Sequence, residues 1–424
     1  MKTIQSLRGF RDLYPEDKAI QNFIFDTVRS VARLYGFAEY DGPIVEPLEL
    51  YLDKTSEEIL TRQTFEVQSK GEEKERWILR PEMTPTLARM VAARAGELTY
   101  PLRWFNIGAR FRYEAPQKGR MREFWQTDFD ILGTNTVLGD AELLAVVVEL
   151  FKKMNATKDD FVIFINSREE MEAELLDIGY TEEQYQDLLK VIDRQDKMED
   201  TEFKKALLTV DSNESKVAAL VNFLSSSESD SAYFKELFAI LESMGIREYV
   251  QLNAGITRGL DYYTGLVFEV KEKNGALRRS LFGGGRYDNL IEKYNAKATI
   301  SGVGFAFSDV AMTEFLKEKN LLPQTVSSST KVLVTVFNEE TAAFSISVAT
   351  RLRTAGIATE LYPDTKRKLD KQLKYADKMQ IPYVIIAGPD EVEKDIVIVK
   401  NLENKTQEEV ALDILSAYPA FSAQ

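Results

Sequence analysis

The stretch RYEAPQKGRMREFWQTDFDILG, residues 112–133, sets cationic and carboxylate side chains close together on either side of a loop-like APQKG. Between Arg110 and Arg122 stand five basic residues, Arg110, Arg112, Lys118, Arg120 and Arg122, against one acid, Glu114, in a chain of formal net charge -14. Guanidiniums suit phosphate oxygens, because a planar fork that stays charged binds them through two parallel hydrogen bonds. Arg112 enters a strand-like run beside Tyr113 and Glu114, and Arg258 opens RGLDYYTG in a similarly apolar setting. Most arginines pair a surface carboxylate and no more; the apolar context singles out these two. Beyond the loop, Gln126, Asp128 and Asp130 share one strand face by the period of two. With Glu82 in RPEMT and Tyr262 and Tyr263 in LDYYTG they form a candidate polar lining. A carboxylate on a sheet face flanked by aromatic residues needs a partner. Asp128 itself reads as an exposed strand residue, with Trp125, Phe129 and Ile131 buried beneath. FGGGRYDNL places three glycines before Arg286 and would allow close approach to a nucleotide. It matches neither GxxxxGK[ST] nor GxGxxG, so it reads more readily as a β-turn.

Composition prunes the chemistry further. The chain has no cysteine and no histidine in 424 residues, which excludes disulfides, thiolate and imidazole metal sites, histidine-based triads and imidazole general bases. Any catalysis must work through carboxylates, arginines, backbone groups and bound cations. A hydrophobic content of 44% is ample for packed cores. The opening MKTIQSLRGFRD has no apolar core of a signal, and no window approaches the roughly 18 apolar residues of a membrane span, so a cytoplasmic protein without membrane contact is expected. Net acidity argues against nonspecific coating of nucleic acid but allows a local basic site.

The elements that must position these residues follow from spacing. Pro15 at a first turn and Ile20, Phe23, Ile24, Val28, Val31 and Leu34 at helical intervals predict a helix over 15–34, ending near Gly36. Residues 36–51 read as extended chain broken by Pro43 and Pro47. Residues 76–96 read as strand, turn and helix, with Thr84 as N-cap and Pro85 at the first helical position. The apolar runs on both sides of PQKGR predict a β-hairpin with a basic tip. From Met171 to Gly245 nearly everything is helical. Strand-rich sequence then returns, followed by a helix to Leu316 and a linker-like LPQTVSSST at 322–330. The remainder alternates strands and helices, predicting a small α/β domain with mixed or parallel pairing. Its TKRKLDKQLKYADK carries six basic residues between Lys366 and Lys378, a solvated helix face or an RNA contact in equal measure.

Several of these segments resemble one family. RGFRDLYPED and GFAEYDGPIVEP resemble the start and the dimer-forming motif 1 of class II aminoacyl-tRNA synthetases of the histidyl family. FRYEAPQKGRMREFWQTDFDILG resembles motif 2 with its histidine-specific loop, and RGLDYYTGLVFEV a signature nearly private to the histidine enzymes. VIDRQDKM resembles the family's helical insertion and ADKMQIPYVIIAG its anticodon-binding domain. The resemblance implies an α+β fold: a class II catalytic domain with a mostly antiparallel sheet over 1–170 and 246–321, a helical insertion over 171–245, and an anticodon-binding α/β domain over 331–424. It implies a homodimer that joins histidine to ATP, with Mg²⁺ on the polyphosphate, and passes the acyl group to histidine tRNA.

Residue by residue, the resemblance assigns Arg112 and Arg258 to the α-phosphate and carboxylate, and Glu82, Thr84 and Gln126 to the α-amino group. Asp130 and Tyr263 would read the imidazole, with Tyr262 and Tyr287 beside them. Glu114 and Arg286 would join the ATP contacts. Gln117, Lys118 and Arg120 would meet the tRNA. Three departures stand out: Asp130 where many bacterial members have glutamate, Ala115 where they often have arginine, and Ser308-Asp309-Val310-Ala311 where motif 3 ends in Gly-Leu-Glu-Arg. The last suggests that Arg286 substitutes or that ATP binds differently. It also sustains a rival, a noncatalytic paralogue such as the regulatory subunit of ATP phosphoribosyltransferase. Such paralogues tend to lose the arginine of the histidine signature and the tRNA-reading module; Arg258, PQKGR and the C-terminal domain are present here. RGLDYYTG disfavours a synthetase for glycine, proline or threonine.

Overall fold

The computed structural model describes residues 4–52, 63–68, 76–195, 198–226, 228–257, 262–275, 280–295, 297–323 and 330–422. The chain divides into two compact units, Met1–Leu322 and Pro323–Gln424. No helix among the described residues is long and apolar enough to cross a membrane.

In the first unit α1 runs Pro15–Leu34, as its spacing predicts, with Pro15 in the first turn and Ile24, Val28 and Val31 fully buried. The main sheet has eight strands among the described residues, in the order β1-β5-β6-β11-β10-β9-β7-β8. They are β1 (Ala38–Glu39), β5 (Leu102–Phe111), β6 (Glu123–Leu132), β7 (Phe161–Ser167), β8 (Val250–Leu252), β9 (Leu266–Glu272), β10 (Phe282–Arg286) and β11 (Gly302–Ser308). The two edge pairings, β1 with β5 and β7 with β8, are parallel, and the five inner ones are antiparallel. A small sheet of β2 (Val45–Pro47), β3 (Phe65–Val67) and β4 (Trp77–Leu79) has β4 at its centre.

One face of the main sheet is covered by α1 and by α3 (Val137–Lys153), whose buried residues run almost all round the helix. Such a helix belongs inside a core. Phe105, Phe129 and Phe305 stack across three neighbouring strands on this face, with centroids 5.6 and 5.2 Å apart. The opposite face is the polar one.

The helix after β4, α2 (Thr84–Ala93), starts one residue earlier than expected. Met83 occupies the cap position, Thr84 is the first helical residue, and no side chain caps the end. None of the first four helical N–H groups is bonded within a helix, so a proline fits at the second position as at the first and does not fix the boundary.

Helices α4 (Arg168–Ile178), α5 (Glu182–Ile192), α6 (Asp200–Val210) and α7 (Glu214–Leu224) share a small core of their own, centred on Leu175, Leu188, Leu207 and Leu220. The next helix, α8 (Ala232–Ser243), instead buries Phe234, Leu237 and Leu241 in the main core. After β11 the unit closes with α9 (Asp309–Glu318).

The second unit is a five-stranded sheet among the described residues, ordered β13-β12-β14-β15-β16. Strands β12 (Val332–Val334), β13 (Thr359–Leu361) and β14 (Tyr383–Ile386) pair in parallel, while β15 (Ile396–Asn401) and β16 (Gln407–Ala411) add antiparallel. Period two splits its core between the faces. Val332 and Val334 pack with Val348 and Leu352 of α10 (Ala342–Thr354), and Leu333 packs with Ala376 of α11 (Leu369–Lys378). Lys371, Lys374 and Lys378 of α11 are exposed.

Candidate active site

The polar face of the main sheet floors a cleft of about 490 Å³. Strand β6 contributes Gln126, Asp128 and Asp130, and its partner β5 sets Gly108 opposite Gln126 and Asn106 opposite Asp128. On the other side, β11 places Ser308, Ala306 and Gly304 opposite the same three residues. Two of these neighbours are glycine for reasons of space. A Cβ on Gly108 would lie 2.4 Å from the Arg80 guanidinium and 2.8 Å from that of Arg110. One on Gly304 would lie 2.2 Å from Asp130 Oδ1 and 2.9 Å from the Phe129 carbonyl. Gly304→Ala is therefore expected to push Asp130 out of place. Thermal unfolding should show a loss of about 1–3 kcal/mol, the usual penalty for overpacking a core, together with a raised KM for the ligand that Asp130 meets.

Most of the residues expected to do chemistry converge here. Glu82, Thr84, Arg112, Glu114, Arg120, Gln126, Asp130, Tyr262, Tyr263 and Tyr287 all line the cleft. Arg112 is fixed at its root: Nε donates to the Pro81 carbonyl at 3.0 Å, and the guanidinium lies 5.5 Å from the Phe124 ring centre. That anchoring leaves the Nη fork for a ligand. Arg120 is exposed and pairs with Glu114 at 3.2 Å. Gln117 is exposed at the hairpin tip and exchanges backbone hydrogen bonds with Arg120. Lys118 is exposed as well and reaches Glu318 at 3.2 Å. Arg258 lies outside the described residues.

At the deep end of the cleft Tyr287 donates its hydroxyl to Asp130 Oδ1. Burial pushes the Asp130 carboxyl up to about 8; the Tyr287 hydrogen bond pulls it down and the Asp128 charge pushes it further up. Tyr287 is held well above the usual phenol range by burial and by Asp130. At neutral pH Asp130 thus keeps its proton.

Two expectations are corrected. Asp128 is not an exposed strand residue; it is 3% exposed and its Oδ2 accepts from Arg110 Nη2 at 2.8 Å. Beside it, the Arg80 and Arg110 guanidiniums fill the space that Gly108 leaves on the same face. Arg286 is not brought to the cleft. Its guanidinium is buried against Asp140 at 2.6 Å, Asp288 at 3.0 Å and the Thr134 carbonyl at 2.8 Å, where it ties β10 to the start of α3.

Sequence reasoning missed the buried polar cluster beside Asp128 on the same sheet face. Arg110 is fully buried, and its Nη2 also donates to Asn106 Oδ1 at 2.6 Å. Asn106 Nδ2 in turn donates to the Tyr40 carbonyl at 2.6 Å. Arg80 Nη1 donates to Asp41 and to the Gly42 carbonyl, both at 2.8 Å. The available signal was the alternation Asn106, Gly108, Arg110, which mirrors Gln126, Asp128, Asp130 across the hairpin.

Where motif 3 would supply arginine, Ala311 lines the cleft in the first turn of α9. Asp309, two residues before it, accepts from Arg11 and Gln21 at 2.8 Å and from the Trp125 backbone N–H at 3.0 Å. That turn therefore ties the N-terminal segment and α1 to β6.

A mostly antiparallel sheet with helices on one face and an arginine-bearing hairpin over the other is the class II synthetase catalytic fold, here joined to an anticodon-binding unit. The family profile described as histidyl-tRNA synthetase matches residues 9–310, and the one described as anticodon binding domain matches 331–418. The histidine–tRNA ligase of Leptospira biflexa is 34% identical, the match covering 96% of this chain and 94% of that one. The chloroplastic and mitochondrial histidine–tRNA ligase of Arabidopsis thaliana is also 34% identical, covering 96% of this chain and 85% of its own. The crystal structure of histidyl-tRNA synthetase from Nostoc sp. PCC 7120 shares the fold with a TM-score of 0.83 at 24% identity, covering 98% of this chain and 99% of that one. The chain belongs to the histidyl-tRNA synthetase family.

Proposed function

We propose that this chain is a histidine–tRNA ligase, activating histidine with ATP and passing the histidyl group to the 3′ end of histidine tRNA. The observation that carries the reading is the convergence, in one cleft, of the Arg112 fork, the acceptors Glu82 and Gln126, and the buried Asp130–Tyr287 pair. These are the contacts that an α-phosphate, an α-ammonium and an imidazole require.

In the first step a carboxylate oxygen of histidine attacks the α-phosphorus of ATP, and the bond to the bridging oxygen of pyrophosphate breaks. The nucleophile is already ionised, so no protein base is needed, and a chain without histidine can perform the reaction by positioning and charge stabilisation. Arg112 meets the α-phosphate, with Arg258 as its counterpart by family resemblance. ATP enters as its Mg²⁺ complex. Among the described residues Arg112 and Arg120 are the cations lining the cleft, so Arg120 stands in place of Arg286 as the second arginine available to the polyphosphate. In the second step the terminal adenosine hydroxyl attacks the acyl carbon and AMP leaves. Lys118 at the hairpin tip suits the acceptor end, and the exposed lysines of α11 suit the tRNA backbone.

Ile44, Val45 and Leu52 are 47%, 40% and 44% exposed in the motif 1 region, which supports a homodimer packed through that segment. A cytoplasmic location is part of the same reading. The match to an anticodon-binding domain over 331–418 and the Arg112, Glu82, Gln126 and Asp130 lining of the cleft favour the ligase over a noncatalytic regulatory paralogue. ATP–pyrophosphate exchange with each amino acid tests the proposal: exchange with histidine alone is expected, and its absence with every amino acid would sink it.

A further inference from the structure

In the cleft floor, Asp128 sits between two donors. Its Oδ2 accepts from Arg110 Nη2 at 2.8 Å, and its Oδ1 accepts from Gln126 Nε2 at 3.1 Å. A carboxylate can only accept, so the glutamine must present its NH₂ end there. The carbonyl oxygen, Oε1, is then the end left for the cleft that Gln126 lines. An amide turned the other way would offer two N–H donors to any ligand above it. A ligand ammonium, itself only a donor, would find no partner.

The carboxylate is itself held from below. Arg110 is fully buried and bridges Asp128 to Asn106, which is 1% exposed and anchored on the Tyr40 carbonyl. The chain of hydrogen bonds thus runs from the residue 40–41 segment through three buried side chains to a group in the cleft. Cross-strand register sets Gly108 opposite Gln126, so no side chain at that position competes for the amide.

We propose that Asp128, fixed by Arg110, is a positioning residue that locks the Gln126 amide with Oε1 facing the cleft as an acceptor for the substrate ammonium. The proposal rests on the reading of the cleft as a histidine site. Asp128 also borders the cleft, 3% exposed, and the role assigned to it here is exercised through Gln126.

The test is a pair of substitutions that exchange the charged and neutral partners. In Asp128→Asn the new carbonyl stays with Arg110 and the new NH₂ faces Gln126, which must turn its own NH₂ into the cleft. In pyrophosphate exchange the KM for histidine should rise about 10- to 100-fold, the usual scale for a buried polar group left unpaired, with the KM for ATP little changed. Adding Gln126→Glu restores an acceptor on both sides at unchanged net charge, and should return the histidine KM to within a few-fold of the parent. A merely structural ion pair would not be rescued by a change at position 126. An unchanged histidine KM in the folded Asp128→Asn variant, or a double variant no better than the single one, would overturn the proposal. If Asp128→Asn does not fold, Gln126→Glu alone provides the comparison. There two carboxylates face each other, and its histidine KM should exceed that of the parent; an unchanged KM would refute the assignment. Absence of histidine-dependent exchange in the unaltered protein would instead defeat the reading of the site, before any variant is made.

Discussion

Replacing Arg112 by alanine is expected to slow histidine-dependent pyrophosphate exchange about 10³-fold, the scale on which preorganised cationic donors act on phosphoryl transfer. The fold should survive, because the side chain is only half-buried and is held by the Nε bond to Pro81 and by its packing on the Phe124 ring. The reason for so large an effect is geometric. Negative charge shifts among the oxygens of the α-phosphate as the carboxylate approaches, and a fork held at its root meets that charge without reorganising. Arg112→Lys should recover little, since a single ammonium cannot reproduce two parallel donors. The measurement is single-turnover adenylate formation at saturating histidine and ATP. Loss confined to KM, with the rate constant preserved, would show that Arg112 serves binding alone.

The second large effect concerns proton traffic at Asp130. With Asp130 at about 8 in the empty site and free imidazole near 6.5, enzyme and histidine together carry one proton between those values. That one proton makes the pair charge-assisted or fully matched, as imidazolium on carboxylate or as carboxylic acid on neutral imidazole. Below about 6.5 both partners are protonated and binding must expel a proton. Above about 8 neither is, and reaching the same pair requires taking one up, the alternative being a weaker bond from neutral imidazole to the buried carboxylate. Histidine affinity is therefore expected to plateau between the two values and fall by up to tenfold per pH unit on either side. Asp130→Asn should weaken histidine about 10²-fold, as for a buried imidazole losing its acceptor, and should abolish the alkaline limb while leaving the acid one. An alkaline limb that persists in this variant would place the titrating group elsewhere.

The same group gives the empty protein a stability slope of known sign. The folded state holds this proton up to about 8, whereas the unfolded chain releases it near the ordinary 3.8. The contribution is thus fully present below the lower value and is lost as pH rises through the upper one. Thermal unfolding of the parent and of Asp130→Asn across that window should diverge accordingly.

Much of the architecture was legible because local periodicity decides it. Pro15 and the spacing of Ile24, Val28 and Val31 mark α1 at both ends, and the alternation of Gln126, Asp128 and Asp130 fixes which residues share a face. What periodicity does not carry is what lies across that face. Asp128 looked solvent-facing because nothing near it in sequence announces Arg110 as its cover. Arg110 in turn looked like one more cation of a basic hairpin, yet it is the buried member of a group whose others are half-buried or exposed. Arg286 failed for the same reason at longer range: its partner Asp140 lies 146 residues earlier, and only the sheet brings the two together. The cleft residues were easier, since their types were legible through a family resemblance and not through spacing.

The row of phenylalanines behind the cleft has a consequence for how faithfully the site is assembled. Phe105, Phe129 and Phe305 pair directly across three strands, and the next residues along the chain, Asn106, Gly304 and Asp128 or Asp130, face the other way. Because side chains alternate strictly, a slip of one residue in any of these strands would carry a ring into the cleft, and in β6 it would also carry two carboxylates into the oily interior. No mispaired sheet could then be both well packed and merely inactive. The interior acts as a checkpoint on catalytic geometry: chains that pass it already have their chemistry aligned, and chains that fail it are exposed to proteolysis and not left to compete for substrate.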